Sequence, residues 1–388
     1  MNQRIWALAD KKATPFYLYD EDVINHNYSQ LRSTLPERMQ ILYSVKANPH
    51  PRIVRQLSKL GAGMDVGSKY ELELALQQGV PAQKISFVGP GKTTVDLIAA
   101  VNANILCVVA ESLQEILALE KIATEAKTEV RICVRVNPRS HINNEGQIVN
   151  SQPSQFGIDE DQLPAVLHLS LRSVKIIGLH FYLGSQFVDS GTLIANFTAV
   201  MKLTVGFQSA LGRTLQIVNL GGGFGIPYFS AATLDLEELK HGVVDIVSPQ
   251  LKDAQILVES GRFLVGSCGI FVTQVLYRKI SHGRTYLICD GGFAQHLAAA
   301  SFGLVVRKNL PISLLSRKKN TGQHERVCIA GPSCYHIDLL AEDLELPAAE
   351  AGDLLCIAQS GCYGPTFSPQ DFLSPKIADE FFVHEEDR

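Results

Sequence analysis

The segment Gln40-Ile41-Leu42-Tyr43-Ser44-Val45-Lys46-Ala47-Asn48 has the pattern of a buried β-strand that ends in a lysine and other polar residues. It is the first of eight short apolar runs between about residues 39 and 262, and each run ends at a turn-forming or charged residue and precedes a helix-like stretch. The predicted strands are Gln40–Val45, Gly63–Val66, Ile85–Val88, Ile105–Ala110, Val130–Val136, Ile176–Tyr182, Leu215–Leu220 and Ile256–Glu259. Their starts lie 20 to 46 residues apart, so every gap can hold the crossover helix that parallel strands require. Eight such units predict an α/β fold with a (β/α)8 TIM barrel; a doubly wound sheet is the alternative.

The sequence changes character after about residue 266 and becomes a series of strand-like runs separated by turns. The runs are Phe271–Val275, Thr285–Cys289, Glu325–Ile329 and Asp353–Ile357. They predict a C-terminal antiparallel β domain, to which the strand-like segment Thr14–Asp20 can return and pair. We therefore expect a barrel over residues 22–266 and a β-sandwich or β-barrel domain over 267–388, joined by an N-terminal strand within residues 1–21.

Composition excludes several classes of protein. Of 388 residues, 46% are apolar and 19% are charged, which excludes disordered, collagen-like and coiled-coil chains. The net charge is −4 with the signs interspersed, so we expect small molecules or proteins as partners and no nucleic acid. No apolar stretch approaches 18 residues and the first ten residues are too short for a secretory signal, which predicts a cytoplasmic protein without membrane contact. The basic segment Arg317–Gly322 predicts a solvated hairpin loop or, as the alternative, a docking point for an acidic partner.

The eight cysteines are sparse and include no Cys-x-x-Cys pair. Neither a disulfide framework nor a zinc site is therefore indicated, and we expect no bound metal. Most of these thiols are predicted to be reduced and buried.

Polar residues at the strand ends are the candidates for chemistry, because barrel active sites form at that face. Lys46 follows the first strand, where a desolvated amine can form a Schiff base or, alternatively, act as a solvated cap. Gly221-Gly222-Gly223-Phe224-Gly225 follows the seventh strand and predicts a phosphate cradle of bare backbone N–H groups, with a tight turn as the alternative. The eighth strand ends in Glu259-Ser260-Gly261-Arg262. One of its two charged groups could face a ring nitrogen and the other a phosphate; the alternative is a surface ion pair between them.

An amine, phosphate donors and a carboxylate are together what pyridoxal 5'-phosphate requires of a protein. The amine binds its aldehyde, the donors bind its phosphate, and the anion keeps its ring nitrogen protonated. The protonated ring then accepts the electrons left on the substrate α-carbon when a bond to that carbon breaks.

The chain resembles the fold-type III pyridoxal-phosphate decarboxylases, the group of diaminopimelate, ornithine and arginine decarboxylases, over nearly its whole length. This group combines a TIM barrel with a C-terminal β domain, as alanine racemase does. The resemblance is carried by Tyr43–Asn48, Gly63–Leu72, Gly178–Gln186, Gly221–Gly225, Glu259–Arg262, Gly331-Pro332-Ser333-Cys334 and Gly361-Cys362-Tyr363-Gly364.

The resemblance implies roles for individual residues. Lys46 would bind the cofactor covalently and Glu259 would pair with the ring nitrogen. The phosphate would be held by Gly221, Gly222, Gly223, Ser185, Arg262 and Tyr363. Cys334 would reach the site from the partner subunit and return a proton to the substrate carbon, which makes the enzyme a head-to-tail homodimer with shared active sites. Asp65, Glu71 and Arg135 match positions that brace the lysine and the cofactor, with structural ion pairs as the alternative.

Departures from the family pattern bear on the substrate. Where better-known members have His-x-His, this chain has His180-Phe181-Tyr182, so Tyr182 would lie over the cofactor ring. Ornithine-type enzymes place an aspartate directly after the cysteine to bind the distal amine, but here Tyr335-His336-Ile337-Asp338 follows Cys334. A free diamino acid substrate is therefore disfavoured, although Asp338 could partly compensate.

The segments Asp290–His296, Arg307–Pro311 and Gly223–Tyr228 are similar to a branch that serves antibiotic and siderophore biosynthesis and decarboxylates conjugated amino acids. Such substrates are citryl-linked or bound to an acyl-carrier protein. Arg307 and His296 could face an acidic conjugate, or be loop-surface residues. The resemblance thus implies a decarboxylase of a conjugated L-amino acid; the alternatives are a decarboxylase of free diaminopimelate, ornithine or lysine, a racemase, and an inactive binding protein that keeps the fold.

Overall fold

The computed structural model describes residues 2–143, 148–150, 153–212, 214–228, 232–246, 251–300, 308–318 and 323–384. The strands in these segments are β1 Phe16–Asp20, β2 Met39–Ser44, β3 Gly63–Val66, β4 Ile85–Phe87, β5 Cys107–Ala110, β6 Val130–Asn137, β7 Ser140–Ile142, β8 Ile148–Asn150, β9 Ile158–Asp159, β10 Val174–His180, β11 Ile217–Asn219, β12 Gln255–Ser260, β13 Gly269–Ser281, β14 Arg284–Cys289, β15 Ile312–Leu315, β16 His324–Ala330, β17 Leu339–Pro347, β18 Leu354–Ile357 and β19 Asp379–Val383. The helices are α1 Asn2–Lys12, α2 Glu21–Thr34, α3 Pro51–Leu60, α4 Lys69–Gln77, α5 Thr94–Ala103, α6 Leu113–Glu125, α7 Leu163–Leu167, α8 Ser190–Leu211, α9 Leu236–Ile246 and α10 Arg262–Val265.

The chain divides into two compact units. The barrel unit contains Asn25–Ile226 and Ala232–Leu264. The sheet unit contains Met1–Ile24, Pro227–Ala231 and Val265–Arg388.

Eight parallel strands form the barrel in the order β2-β3-β4-β5-β6-β10-β11-β12, and β12 pairs again with β2. All eight runs predicted from the sequence are strands, displaced by at most a few residues at their ends. The pairing of β6 with β10 closes the barrel, so the fold is the predicted TIM barrel and not an open doubly wound sheet. Buried apolar side chains from these strands, including Leu42, Val109 and Leu257, pack together as one cluster.

Helix-capping signals explain why the chain leaves each strand and enters a helix at a defined residue. Ser68 caps α4 by accepting a hydrogen bond from the Glu71 N–H, and Thr93 and Asp96 form a reciprocal capping box at the start of α5. Gly61 ends α3 with φ = 107°, a left-handed conformation that favours glycine. The caps at Ser68 and Thr93 follow β3 and β4, so they fix where the chain turns at the carboxyl face of the barrel, whereas Gly61 returns the chain to the start of β3.

The longest gap between predicted strands contains an insertion that the sequence pattern did not reveal. After β6 the chain forms the two-stranded hairpin β7–β8, and the short strand β9 then pairs with the end of β6. Residues 144–147 and 151–152 of this insertion lie outside the described residues.

The sheet unit contains an eight-stranded mixed sheet. Its main path is β15-β18-β13-β14-β16-β17, and β1 pairs with both β13 and β19. Most pairs are antiparallel as predicted, but β14–β16 and β1–β19 are parallel. The N-terminal strand β1 lies antiparallel to β13, with Phe16 opposite Val272. Helix α1, which we did not predict, packs Ile5 against the core of this sheet.

The basic segment that begins at Arg317 is neutralised within the sheet unit as far as it is described. Arg317 pairs with Asp10 and lies 4.2 Å from the centroid of the Trp6 ring, and Lys318 pairs with Glu350. These contacts favour the solvated loop over an acidic docking point; the rest of the segment, residues 319–322, lies outside the described residues. No helix within the described part of the chain is long and apolar enough to cross a membrane.

Candidate active site

Lys46 lies in a 3₁₀ turn, Val45–Ala47, that directly follows β2 at the carboxyl face of the barrel. Burial raises the pKa of Asp65 and Glu71, and the positive charge of Lys46 opposes that rise; the same charge helps to keep the pKa of Glu259 below its ordinary value. Lys46 therefore lies within electrostatic range of three carboxyl groups. Since these residues come from the ends of β3 and β12 and from α4, the barrel has gathered them from distant parts of the sequence.

Asp65 is buried at the end of β3, and burial raises the pKa of its carboxyl group. The negative charge of Glu259 raises this pKa further, whereas Lys46 and a hydrogen bond with Ser44 oppose the rise. Its Oδ1 atom has no hydrogen-bond partner among the described residues. A buried and unpaired carboxylate oxygen is costly unless another group binds it, so this oxygen can accept a hydrogen bond from a further donor.

Glu259, near the end of β12, is held by residues from the two preceding strands of the barrel. His180 Nε2, at the end of β10, lies 3.0 Å from Glu259 Oε1, and the Asn219 side chain, at the end of β11, donates to the same oxygen at 2.9 Å. Burial raises the pKa of Glu259, but the combined effect of His180, Lys46 and Asn219 holds it below its ordinary value. Glu259 is therefore a fixed carboxylate inside the barrel mouth.

The glycine loop after β11 has no space for side chains. Gly221 has φ = 73°, and a Cβ there would lie 2.2 Å from the Phe181 carbonyl oxygen. A Cβ on Gly222 would lie 2.9 Å from the Glu259 carbonyl oxygen, and one on Gly223 would lie 2.7 Å from the Phe187 ring. The loop is a cradle of bare backbone in which only glycine fits.

Ser185 lies in the loop after β10 and Arg262 begins α10 directly after β12, so both belong to the carboxyl face of the barrel unit. Both side chains are partly buried.

Arg135 lies in β6 and pairs with a residue that the sequence analysis missed. Its Nη1 donates to both carboxylate oxygens of Glu111 at 3.1 Å. The Tyr182 ring lies on the guanidinium, with 5.5 Å between its centroid and the Arg135 Cζ. Glu111 follows β5 directly, so the strand-end rule that selected Lys46 would have found it.

Cys334 and Tyr363 belong to the sheet unit, whereas the other predicted site residues belong to the barrel unit. Cys334 follows β16 and is exposed, while the other seven cysteines are buried. Tyr363 has φ = 53° in the loop after β18, beside Cys362, whose Sγ lies 3.1 Å from the Tyr228 hydroxyl.

Asp338 does not lie free beside Cys334. Its carboxylate is buried and accepts hydrogen bonds from the backbone N–H groups of Phe293 at 2.7 Å and Ser333 at 3.0 Å. Gly331 and Gly292 are so close that a Cβ on either would lie within 2.4 Å of this carboxylate. Asp338 therefore fixes the loop that carries Cys334, and our expectation that it might replace an amine-binding aspartate is wrong.

His296 is also a structural residue. It is 1% exposed, packs on Tyr17 and Phe271, and its Nε2 lies 2.9 Å from the Ser360 hydroxyl. Burial lowers its pKa to about 3, so it is uncharged at neutral pH. Both sequence interpretations, an anion-binding residue and a loop-surface residue, are wrong for His296. Arg307 lies outside the described residues.

The barrel mouth fits pyridoxal phosphate. It supplies an amine among carboxyl groups, a fixed buried carboxylate at Glu259, and a loop of bare glycine backbone in which any Cβ would collide with neighbouring protein atoms. Among the described residues, no group of three or more His, Cys, Asp or Glu side chains is arranged to hold a metal ion.

Comparison with known proteins agrees with this chemistry. Residues 21–266 match the family model of the pyridoxal-dependent decarboxylases, pyridoxal binding domain. The L-glutamyl-(BtrI acyl-carrier protein) decarboxylase of Niallia circulans is 37% identical over 378 residues, which cover 95% of this chain and 88% of that protein. The 2-((L-alanin-3-ylcarbamoyl)methyl)-2-hydroxybutanedioate decarboxylase of Staphylococcus aureus is 31% identical over 92% of this chain and 91% of that protein. The crystal structure of diaminopimelate decarboxylase from Helicobacter pylori, complexed with L-lysine, is 28% identical and superimposes with a TM-score of 0.87 over 99% of this chain and 94% of that one.

Proposed function

Since the chain belongs to the pyridoxal-dependent decarboxylase family and is a pyridoxal-phosphate-dependent carboxy-lyase, we propose that its substrate is an L-α-amino acid whose side chain continues into an acyl linkage. The α-carboxylate of this conjugated amino acid leaves as CO2. The distal part of the substrate is an amide or a thioester and not a free ammonium group.

The single observation that carries this proposal is the environment of Asp338. A free diamino acid brings a distal ammonium group, and the protein must offer it an anion or strong acceptors when water is removed. Asp338 is the only acidic residue in the sequence segment Gly331–Asp338. Its carboxylate already accepts hydrogen bonds from two backbone N–H groups. The loop that carries Cys334 thus offers no carboxylate to an ammonium group.

The names of two relatives support the same substrate class. One acts on an L-glutamyl group carried by an acyl-carrier protein, and the other acts on an alanine joined through an amide to a citrate-like triacid. In both substrates the amino acid side chain ends in an acyl linkage. Antibiotic and siderophore pathways use such conjugates, and an acyl-carrier protein is the partner that the thioester version would require.

The cofactor supplies an electron-accepting ring that stabilises the negative charge left on the α-carbon after CO2 departs. Lys46 would hold the cofactor through its aldehyde. Glu259, fixed by His180 and Asn219, holds a proton at the ring nitrogen. Asp65 supports the charge of Lys46, and Tyr182 covers the face of the ring.

The phosphate is bound by the backbone of Gly221, Gly222 and Gly223, with Ser185, Arg262 and Tyr363 as further donors. Cys334 returns the proton to the α-carbon. Because Cys334 is exposed, we propose that it acts in the site of a partner subunit, so that the enzyme is a homodimer with shared active sites in the cytoplasm.

Competing substrates test the proposal. CO2 release by the holoenzyme is measured with the citryl amide of L-2,3-diaminopropionate, an L-glutamyl pantetheine thioester, and free L-ornithine, L-lysine and meso-diaminopimelate. We expect one acyl-linked compound to exceed every free amino acid in kcat/KM by at least about a hundredfold, the discrimination obtained when a charged group has no partner. A free diamino acid that matches the acyl-linked compounds, or failure of both acyl-linked compounds, would overturn it.

A further inference from the structure

We propose that Glu111, acting through Arg135, is a positioning residue that holds the Tyr182 ring in place at the barrel mouth. The inference rests on the proposed function, in which Tyr182 covers the cofactor ring. It assigns a role to a carboxylate that touches neither the cofactor nor the reacting atoms.

Glu111 forms hydrogen bonds with residues in or next to three neighbouring strands. Its carboxylate is 4% exposed and accepts a hydrogen bond from the Gly89 N–H at 2.9 Å, from Arg135 at 3.1 Å, and from the Gly157 N–H at 3.2 Å. Gly89 follows β4, Arg135 lies in β6, and Gly157 precedes β9. The carboxylate therefore has donors on several sides and little freedom to move.

The backbone of Glu111 is fixed as well. Its N–H donates to Glu115 Oε2 at 2.9 Å, and Glu115 pairs with Lys92 at 2.8 Å. The Lys92 and Glu115 side chains are only 1% and 8% exposed. The buried Lys92–Glu115 ion pair thus supports the Glu111–Arg135 ion pair. The position of Glu111 does not depend on solvent-exposed contacts.

Arg135 transmits this position to two aromatic rings. Its Cζ lies 4.7 Å from the centroid of Phe156 and 5.5 Å from that of Tyr182. Both rings are partly exposed, at 37% and 41%, whereas the Arg135 side chain is 10% exposed. A guanidinium attracts the face of an aromatic ring, and most strongly where water is excluded. The buried Arg135 guanidinium therefore orients the more exposed Tyr182 ring.

The residue type at position 182 agrees with this arrangement. A tyrosine ring is uncharged at neutral pH and presents a negative face to the cation. A histidine at this position would face a guanidinium with a ring that itself gains a positive charge near pH 6.5. The Glu111–Arg135 pair is thus matched to an uncharged aromatic residue at position 182.

A double-mutant cycle on cofactor binding tests the proposal. The apoenzymes of wild type, Glu111→Gln, Tyr182→Leu and Glu111→Gln/Tyr182→Leu are titrated with pyridoxal phosphate, and the induced circular dichroism of the bound cofactor is recorded. We expect Tyr182→Leu to weaken binding about tenfold, equivalent to about 1.4 kcal/mol. Glu111→Gln should weaken binding by several-fold and change the dichroism in the same direction, and the double variant should bind no more weakly than Tyr182→Leu alone.

The proposal would be overturned if the fold-changes of the two single variants multiplied in the double variant, because the two effects would then be independent. It would also be overturned if Glu111→Gln had the affinity and dichroism of the wild type. Glu125→Gln is the matched control, because it removes an exposed ion pair with Lys121 on the same barrel. Should Glu111→Gln fail to fold, Arg135→Lys enters the same cycle, since it keeps the charge but loses the planar group. A wild-type protein that binds no pyridoxal phosphate refutes the proposed function itself, whereas binding with multiplying effects refutes only the role of Glu111.

Discussion

His180 and Glu259, which are 79 residues apart in the sequence, share a hydrogen bond of 3.0 Å inside the barrel mouth. They lie on β10 and β12, and Asn219 of the intervening strand β11 donates to the same oxygen. Three adjacent strands thus determine where this carboxylate lies and how acidic it is.

Replacing His180 with Phe is expected to raise the pKa of Glu259, because the hydrogen bond and the electrostatic interaction that oppose the effect of burial are lost. An anion with a higher pKa is protonated at a higher pH. The acidic limb of the kcat/KM profile should therefore move upward by about one pH unit. His180→Gln, which keeps a hydrogen-bond donor, should move it less; a profile that stays in place in both variants would contradict the assignment of Glu259.

Replacing Lys46 with Ala is expected to abolish covalent cofactor binding. The absorption band near 420 nm, which a Schiff base between Lys46 and the cofactor would give, should be lost with it. CO2 release should fall by at least about a thousandfold. The matched control is Lys69→Ala, which removes an exposed lysine paired only with Glu73 at 3.5 Å among the contacts described. Normal CO2 release from the Lys46→Ala variant would exclude the covalent role.

Replacing Cys334 with Ala should leave cofactor affinity and the absorption spectrum unchanged but slow the return of the proton to the α-carbon. We expect kcat to fall by about 10- to 1000-fold. When the proton is misdirected, a larger share of the product should leave as a carbonyl compound after hydrolysis by water, with the amino group left on the cofactor as pyridoxamine phosphate. The measurement is kcat together with the ratio of amine to carbonyl product. Cys328→Ala, at a buried cysteine in the preceding strand, serves as the comparison.

Replacing Asp338 with Ala is expected to destabilise the sheet unit, because the Phe293 and Ser333 N–H groups lose their acceptor. The free energy of unfolding should fall by about 2–4 kcal/mol in urea denaturation. Asp343→Asn is the control, since Asp343 is exposed and pairs with Arg326 at the surface. Equal stability of the two variants would mean that the Asp338 carboxylate does not support its loop.

His296 predicts a pH dependence of stability with a defined sign. Its pKa in the folded protein is lowered to about 3 by burial, so below pH 6.5 the unfolded chain takes up a proton that the folded chain does not. Stability is therefore complete above about pH 6.5 and falls as the pH decreases toward 3, by up to about 1.4 kcal/mol per pH unit. His296→Gln should flatten this slope in urea unfolding, whereas His168→Gln, at an exposed residue, should leave it unchanged.

The barrel could be predicted because its strands are buried on both faces and are therefore mostly continuous apolar runs, such as Cys107–Ala110. The same logic places Lys46, Asp65 and Glu259 at one face. The hairpin β7–β8 escaped prediction because its strands are only three residues long. Parallel pairing of β14 with β16 could not be read from the sequence, since strand direction in a mixed sheet depends on contacts between distant segments.

The roles of Asn219 and Asp338 could not be predicted from the local sequence. Asn219 is a site residue because the barrel register sets it opposite His180, and no local pattern encodes that register. Asp338 and His296 lie in turn-rich segments that are typical of surfaces, yet the packing of the sheet unit buries both. Polar residues in loops are thus assigned correctly only once their burial is known.

Strand β1 has its two partners at widely separated places in the chain. It pairs with β13 from residue 269 onward and with β19 at residues 379–383. During synthesis at about 5–20 residues per second, β1 therefore leaves the ribosome tens of seconds before either partner exists. The barrel can form while the chain is still growing, but the sheet unit can be completed only after residue 383 has been translated. A nascent chain that stops early would expose the apolar edge of β1 to aggregation and to proteases.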